Sequence, residues 1–348
     1  MLNAMLDALT SMARWSRWDA APFSDAASLP VSVPEVKASA SVKASGFLAG
    51  RFTAGSGSLG YKLFVPGGYD GSGAPLPLIV MLHGYGQDAG DFARGTGMNV
   101  LAEKYGFLVA YPEHANSAGG AGCWNWFERT HHHRGQGEPA LIAGVATRIM
   151  SEYAVDAGRV FVAGLSSGAA MAVIVGRTYP DLFAAVGCHS GLAHGAALDG
   201  FGAMQAMLLG ADAGAHYNRQ GAGSVPTIVF HGDLDSTVHP KNGRHVVEQT
   251  IRAGAGFVVS QETGAAAGRG FTRDIYRSKS GGIVAEQWTV HGAGHAWSGG
   301  SRRGSHTDAT GPDASEEMMR FFIQSTSAWP PFRAGDLDNT VLSGMLSG

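Results

Sequence analysis

The sequence predicts an α/β fold: a mostly parallel, doubly wound sheet with an antiparallel edge hairpin. Three observations carry this expectation. Short apolar runs alternate with helical stretches from about residue 46 onward, which is the pattern of strand–helix–strand units. The middle runs are unbroken Val/Ile/Leu/Phe rather than alternating, as expected for strands covered on both faces. The first two strands have no helix between them, so they pair as a hairpin.

Taken in order, residues 1–45 precede the body. Leu2, Met5, Leu6, Leu9 and Met12–Ala13 recur with helical spacing, interrupted by Asp7. They predict a short amphipathic helix docked on the body, with a lid or membrane-surface helix as the alternative. Residues 20–45 are rich in Ala, Ser, Pro and Val without a period and read as a linker or arm. The catalytic body is expected over residues 46–326. Its strands are Phe47–Thr53, Tyr61–Val65, Leu78–Leu82, Phe107–Tyr111, Val160–Ala163, Ala184–Cys188, Thr227–Phe230 and Glu286–Val290. Helices are expected over Asp91–Tyr105, Pro139–Tyr153 (Pro139 suits a first turn), Ser167–Tyr179, Lys241–Ala253 and Asp313–Gln324. Residues 327–348, with Trp329-Pro330-Pro331, read as a surface strap.

Composition narrows the function. The 348 residues are 45% hydrophobic and 15% charged, with a formal net charge of -3. That is enough apolar chain for one large core, and it lacks the basic surplus a nucleic-acid partner needs. No stretch approaches the roughly 20 apolar residues of a membrane span. The N-terminus lacks the basic start and unbroken apolar run of a signal peptide. The two cysteines, Cys123 and Cys188, are too few for a disulfide framework and leave one bridge or two buried thiols open. His131-His132-His133 reads as a solvated loop. Consecutive histidines cannot all face one ion, and no carboxylate spacing supports them, so neither metal nor cofactor is expected.

The chemistry is concentrated at strand ends. Val160–Ala163 runs into Gly164-Leu165-Ser166-Ser167-Gly168 and then a helical pattern. This is the Gly-x-Ser-x-Gly nucleophile elbow of the α/β-hydrolase fold in its required setting. A sharp strand-to-helix turn exposes the Ser166 hydroxyl, and the helix N-terminus favours developing negative charge. A serine hydroxyl needs a base held by an acid, and both follow it in chain order. Asp235, in His231-Gly232-Asp233-Leu234-Asp235, is the candidate acid, and His295, in His291-Gly292-Ala293-Gly294-His295, the candidate base. Asp233 and His291 are the local competitors and are read as loop hydrogen-bonding groups. Leu78–Leu82 ends in His83-Gly84-Tyr85-Gly86-Gln87, so the backbone amides of Tyr85 and Ser167 are the expected oxyanion donors.

Together these segments resemble the short-chain polyhydroxyalkanoate (polyhydroxybutyrate) depolymerases and their related esterases, kin to feruloyl esterases. The matching segments include Tyr61–Asp70, Leu78–Gln87, Gly95–Asn99, Cys123–Phe127, Arg134–Ala143, Val160–Met171, Tyr179–Leu192, His231–Gly243 and Gly292–Gly300, within roughly residues 47–324. The resemblance implies the same triad and oxyanion residues, no cofactor, and cleavage of 3-hydroxyacyl esters in a hydroxyalkanoate polymer or oligomer. It also implies a secreted enzyme, with a cytoplasmic one as the alternative. One departure is Tyr85, where the family commonly has cysteine. The backbone donor survives the change, but a nearby disulfide and the substrate fit do not follow. Cys188 stands where the family more often looks aliphatic, which opens a pairing with Cys123. Trp124, Trp126 and Trp297 fall beside the expected site, where aromatic faces suit an aliphatic polyester. Core packing is the alternative. Rival functions are a feruloyl or acetyl esterase acting on plant polysaccharide, and a catalytically silent binding module on the same fold. The sequence leaves oligomeric state open.

Overall fold

The computed structural model describes residues 46–55, 57–113, 122–211, 225–252 and 256–326. The N-terminal helix and arm and the C-terminal strap expected above lie outside the described residues.

The strands are β1 (Gly46–Ala54), β2 (Gly57–Val65), β3 (Leu76–Leu82), β4 (Leu108–Glu113), β5 (Val155–Leu165), β6 (Ala185–His189), β7 (Thr227–Gly232), β8 (Phe257–Ala266), β9 (Arg269–Ser278) and β10 (Ile283–Val290). Two short strands, β11 (Trp297–Ser298) and β12 (Thr307–Asp308), pair apart from the main sheet. The helices are α1 (Ala89–Thr96), α2 (Met98–Tyr105), α3 (Gly137–Glu152), α4 (Ser167–Thr178), α5 (Gly200–Leu209), α6 (Lys241–Ile251) and α7 (Ala314–Ser325).

The main sheet has ten strands in the order β1-β2-β4-β3-β5-β6-β7-β10-β9-β8. Its centre, from β4 to β10, is parallel. The hairpin β1–β2 is antiparallel, as the missing helix implied, and β2 also joins β4 antiparallel. The other edge differs from expectation: β9 and β8 extend the sheet by two further antiparallel strands. Strand β8 is exposed on both faces for nearly its whole length, so it carries no burial pattern a sequence could show.

Both faces of the central strands are covered. Leu78, Val80 and Leu82 of β3 face one apolar cluster, with Ile142, Val145 and Ile174. Ile79 and Met81 face a second, with Phe92, Met318 and Phe322. Period-two side chains with apolar residues on both faces produce the continuous runs read from sequence. The expected helix Asp91–Tyr105 is two helices, because Gly97 adopts a left-handed conformation (φ 66°) that ends α1 and starts α2. Asp313 caps α7 by accepting from the amides of Ser315 and Glu316. Under α7, the fully buried Glu286 carboxylate accepts from Arg320 (2.6 Å), Arg273 (2.8 Å) and the Trp288 indole (3.1 Å). No helix among the described residues is long and apolar enough to cross a membrane.

Parallel strands bring their carboxyl ends to one edge. The loops after β3, β5, β7 and β10, which carry Tyr85, Ser166, Asp235 and His295, all leave from that edge.

Candidate active site

Ser166 sits between β5 and α4 with φ 57° and ψ −119°, a strained backbone that few non-glycine residues adopt. Two hydrogen bonds hold it there: its amide donates to His189 O (2.9 Å), and its carbonyl accepts from the Ala170 amide (3.0 Å). Both motif glycines are sterically required. A Cβ on Gly164 would lie 2.5 Å from the Gly168 carbonyl, and one on Gly168 would strike the backbone of Leu82 and His83. Their absence lets the first turn of α4 press against the end of β3.

That contact brings the start of α4 against the end of β3, the strand that leads into the Tyr85 loop. The Ser167 amide opens α4, and the Tyr85 amide lies in the loop after β3. Neither has an acceptor among the described residues. The Tyr85 loop is fixed on both sides: Gly84 donates to Gln87 Oε1 (2.9 Å) and Gly86 to Gly122 O (3.1 Å). Gln87 Nε2 in turn donates to Asp91 Oδ2 and Ser305 O, both at 3.1 Å.

Asp235 and His295, 60 residues apart, meet through a 2.7 Å hydrogen bond from Nδ1 to Oδ2. The carboxylate's other oxygen accepts from the amides of Thr237 and Val238, each at 2.9 Å. Burial alone would raise this carboxyl. Hydrogen bonds from His231 and His295, and the charge of those rings, hold it well below the usual carboxylate range instead. The bond to the Asp235 carboxylate assigns the Nδ1 position of His295 as the donor, which leaves Nε2 as the nitrogen able to accept a proton. The competitors pair with each other, as loop hydrogen-bonding groups do. His291 Nδ1 donates to Asp233 (2.9 Å), and Asp233 also accepts from the Gly292 amide (2.7 Å).

Two histidines outside the expected set position these loops. His231 Nε2 donates to Val238 O (2.8 Å) and lies 3.4 Å from Asp235 Oδ2, clamping the acid's turn. His189, the last residue of β6, accepts the Ser298 amide at Nε2 (3.0 Å) and stacks on Trp297 (5.0 Å). Burial, then the neighbouring His231 and His295, push its pKa down to about 3. It is therefore a neutral strut joining the Ser166 and His295 loops. The available signal was a polar residue closing an apolar strand.

The tryptophans are interior. Trp124, Trp126 and Trp297 are 0%, 3% and 1% exposed. Trp124 donates to His83 O (3.0 Å), and Trp297 donates to Ser315 Oγ (3.1 Å) while packing edge-on to Phe92. They support the site loops from behind, so the expected aromatic substrate wall is not where they stand. The histidine run also departs from expectation. Arg129–His132 forms a 3-10 helix, and His132 is buried against His194 with ring centroids 4.9 Å apart. Among the described residues no three of His, Cys, Asp or Glu converge as metal ligands. Cys123 and Cys188 are separate free thiols.

Comparison with known proteins places this geometry. Residues 59–276 match the family described as Esterase PHB depolymerase. Poly(3-hydroxyalkanoate) depolymerase C of Paucimonas lemoignei is 31% identical over 253 residues, covering 70% of this chain and 60% of the relative. Acetylxylan esterase A of Aspergillus awamori is 35% identical over 158 residues, covering 41% of this chain and 51% of the relative. The chain thus spans between about half and three-fifths of these relatives' lengths. In three dimensions, the acetyl xylan esterase of Aspergillus awamori superimposes with a TM-score of 0.62 at 22% identity, covering 79% of this chain and 98% of that one. The fold is that of the α/β-hydrolases.

Proposed function

Because the chain belongs to the polyhydroxybutyrate depolymerase family of esterases, we propose that it is a serine hydrolase of poly- or oligo(3-hydroxybutyrate)-type aliphatic esters. The observation that carries this reading is the 2.7 Å Asp235–His295 hydrogen bond, made at the sheet edge that also holds the strained Ser166 elbow.

In the proposed mechanism His295 Nε2 takes the Ser166 hydroxyl proton as Oγ attacks the ester carbonyl carbon. The amides of Tyr85 and Ser167 donate to the resulting oxyanion. Collapse breaks the C–O bond, and His295 returns the proton to the departing alcohol. Water, deprotonated by the same nitrogen, then attacks the acyl-enzyme and frees the acid and Ser166. Asp235 holds His295 in one tautomer and offsets the charge it acquires. Similarity to the poly(3-hydroxyalkanoate) depolymerase supports an exported enzyme acting on polymer outside the cell, with a cytoplasmic enzyme acting on oligomers as the alternative.

An acetyl ester of plant polysaccharide is the second reading, favoured by the similarity to the protein named acetylxylan esterase A. The test is a panel: clearing of an amorphous poly(3-hydroxybutyrate) film, release of acetate from acetylated xylan, and release of ferulate from feruloylated arabinoxylan. Film clearing that disappears in Ser166→Ala, with little acetate or ferulate released, supports the polyester reading. Acetate or ferulate released without film clearing replaces it.

A further inference from the structure

With Trp124, Trp126 and Trp297 buried, the surface that touches the substrate must come from other side chains. Two large apolar residues are exposed on loops that carry the chemistry: Tyr85, 41% exposed, and Leu234, 68% exposed. The other exposed large apolar residues among the described ones stand on β1, β8, α2 and α5. Scattered exposed apolar residues are ordinary. These two differ in position. Tyr85 lies in the loop after β3, the strand next to β5, and Leu234 immediately precedes Asp235.

Sheet order fixes where they lie relative to Ser166. Tyr85 follows β3, one strand from β5, and Leu234 follows β7, two strands from β5 on the other side. At roughly 4.8 Å per strand, they flank the nucleophile at about 5 Å and about 10 Å along the sheet edge. Neither is held on a slack loop. Tyr85 lies between the anchored Gly84 and Gly86, and Leu234 donates its amide to Ala293 O (3.0 Å) within the turn that closes on Asp235. The acyl and alcohol parts of a bound ester run in opposite directions from the scissile bond, and in a polyester both are aliphatic.

We propose that Tyr85 and Leu234 are the specificity-determining residues, apolar contacts on either side of Ser166 that select an ester flanked by aliphatic chain on both sides. This rests on the polyester reading above. An acetyl ester on a sugar, with a two-carbon acyl group that ends in a single methyl and with a polar alcohol, gains little from such a pair. An oligoester gains contact on both sides of the bond being broken.

The experiment compares kcat/KM for a 3-hydroxybutyrate trimer with kcat/KM for p-nitrophenyl acetate, in the whole chain. Tyr85→Ala and Leu234→Ser should each lower the trimer-to-acetate ratio by about five- to tenfold, chiefly through a higher trimer KM. Tyr85→Phe and Leu234→Met should restore the ratio to within about twofold. Val258→Ser, on β8 at the far end of the sheet, is the reference and should keep the wild-type ratio. A ratio within twofold of wild type in both Tyr85→Ala and Leu234→Ser overturns the proposal. So does Tyr85→Phe falling as far as Tyr85→Ala, which would assign the effect to the hydroxyl. A wild-type enzyme that cleaves p-nitrophenyl acetate but not the trimer fails the polyester reading itself, a result read without any variant.

Discussion

Gly168→Ala tests how closely the elbow is packed against the oxyanion loop. The new methyl carbon would sit 2.6 Å from the Leu82 carbonyl carbon, 0.8 Å inside the 3.4 Å at which ordinary contact begins, and closer still to the oxygens of Leu82 and His83. All of these are backbone atoms, so no rotamer change relieves the clash, and the first turn of α4 must move away from β3. Overpacking of this kind costs about 1–3 kcal/mol, or roughly 2–5 °C in melting temperature for a body of this size. The same movement carries the Ser167 amide away from the Tyr85 amide. Loss of one oxyanion donor costs other enzymes about 10²–10³ in rate, so kcat should fall on the order of 100-fold with a smaller change in KM. Gly60→Ala is the control, since a Cβ there meets nothing within 4 Å. Melting by circular dichroism and turnover of p-nitrophenyl butyrate measure both effects. A Gly168→Ala protein with wild-type melting temperature and kcat would refute the packing argument and the oxyanion assignment built on it.

Acid should destabilise the protein in a defined window. Burial pushes His132 down to about 4 and His194 and His189 down to about 3, against 6.5 for the unfolded chain. The unfolded chain therefore binds protons that the folded one refuses. The stability is full above about pH 6.5 and falls as pH drops toward 4, by on the order of 3 kcal/mol per histidine. A melting temperature that stays flat from pH 7 to pH 4.5 would contradict this. Glu286→Gln leaves the buried Arg320 and the half-buried Arg273 poorly compensated and should cost about 3–5 kcal/mol in urea unfolding. A loss below about 1 kcal/mol would show the network to be dispensable. Trp124→Phe removes the donor to the buried His83 carbonyl and should cost about 1–3 kcal/mol while leaving the KM for the hydroxybutyrate trimer unaltered. A raised KM without lost stability would return Trp124 to the substrate surface.

Much of this molecule is legible locally. Val160–Gly168 contains an apolar strand, two glycines and a helix start in nine consecutive residues, and the structure needs each for a reason that acts within those residues or on the adjoining strand. The loops of Asp235 and His295 are similarly marked, each by polar residues directly after an apolar run. What was hidden depends on depth or on partners remote in sequence. Trp297 sits two residues from His295, yet it points into the core, held by Ser315 and Phe92. His132 resembles its neighbours in sequence and differs only because the loop of His194 covers it. Helix α5 (GFGAMQAMLL) is apolar nearly all round and opens with two glycines, so it offers no period. His189 acts by joining the Ser166 elbow to the distant Ser298 segment, and no spacing within one segment records that.

The central claim is that Ser166 is the activated nucleophile of a relay through His295 and Asp235. The direct measurement is stoichiometric reaction with a p-nitrophenyl phosphonate, followed by intact mass and peptide mapping. One adduct per chain on Ser166, lost in Ser166→Ala and strongly slowed in His295→Ala, is the predicted result. An unlabelled wild-type chain, or an adduct on any other residue, would contradict it and leave a silent binding fold as the better description.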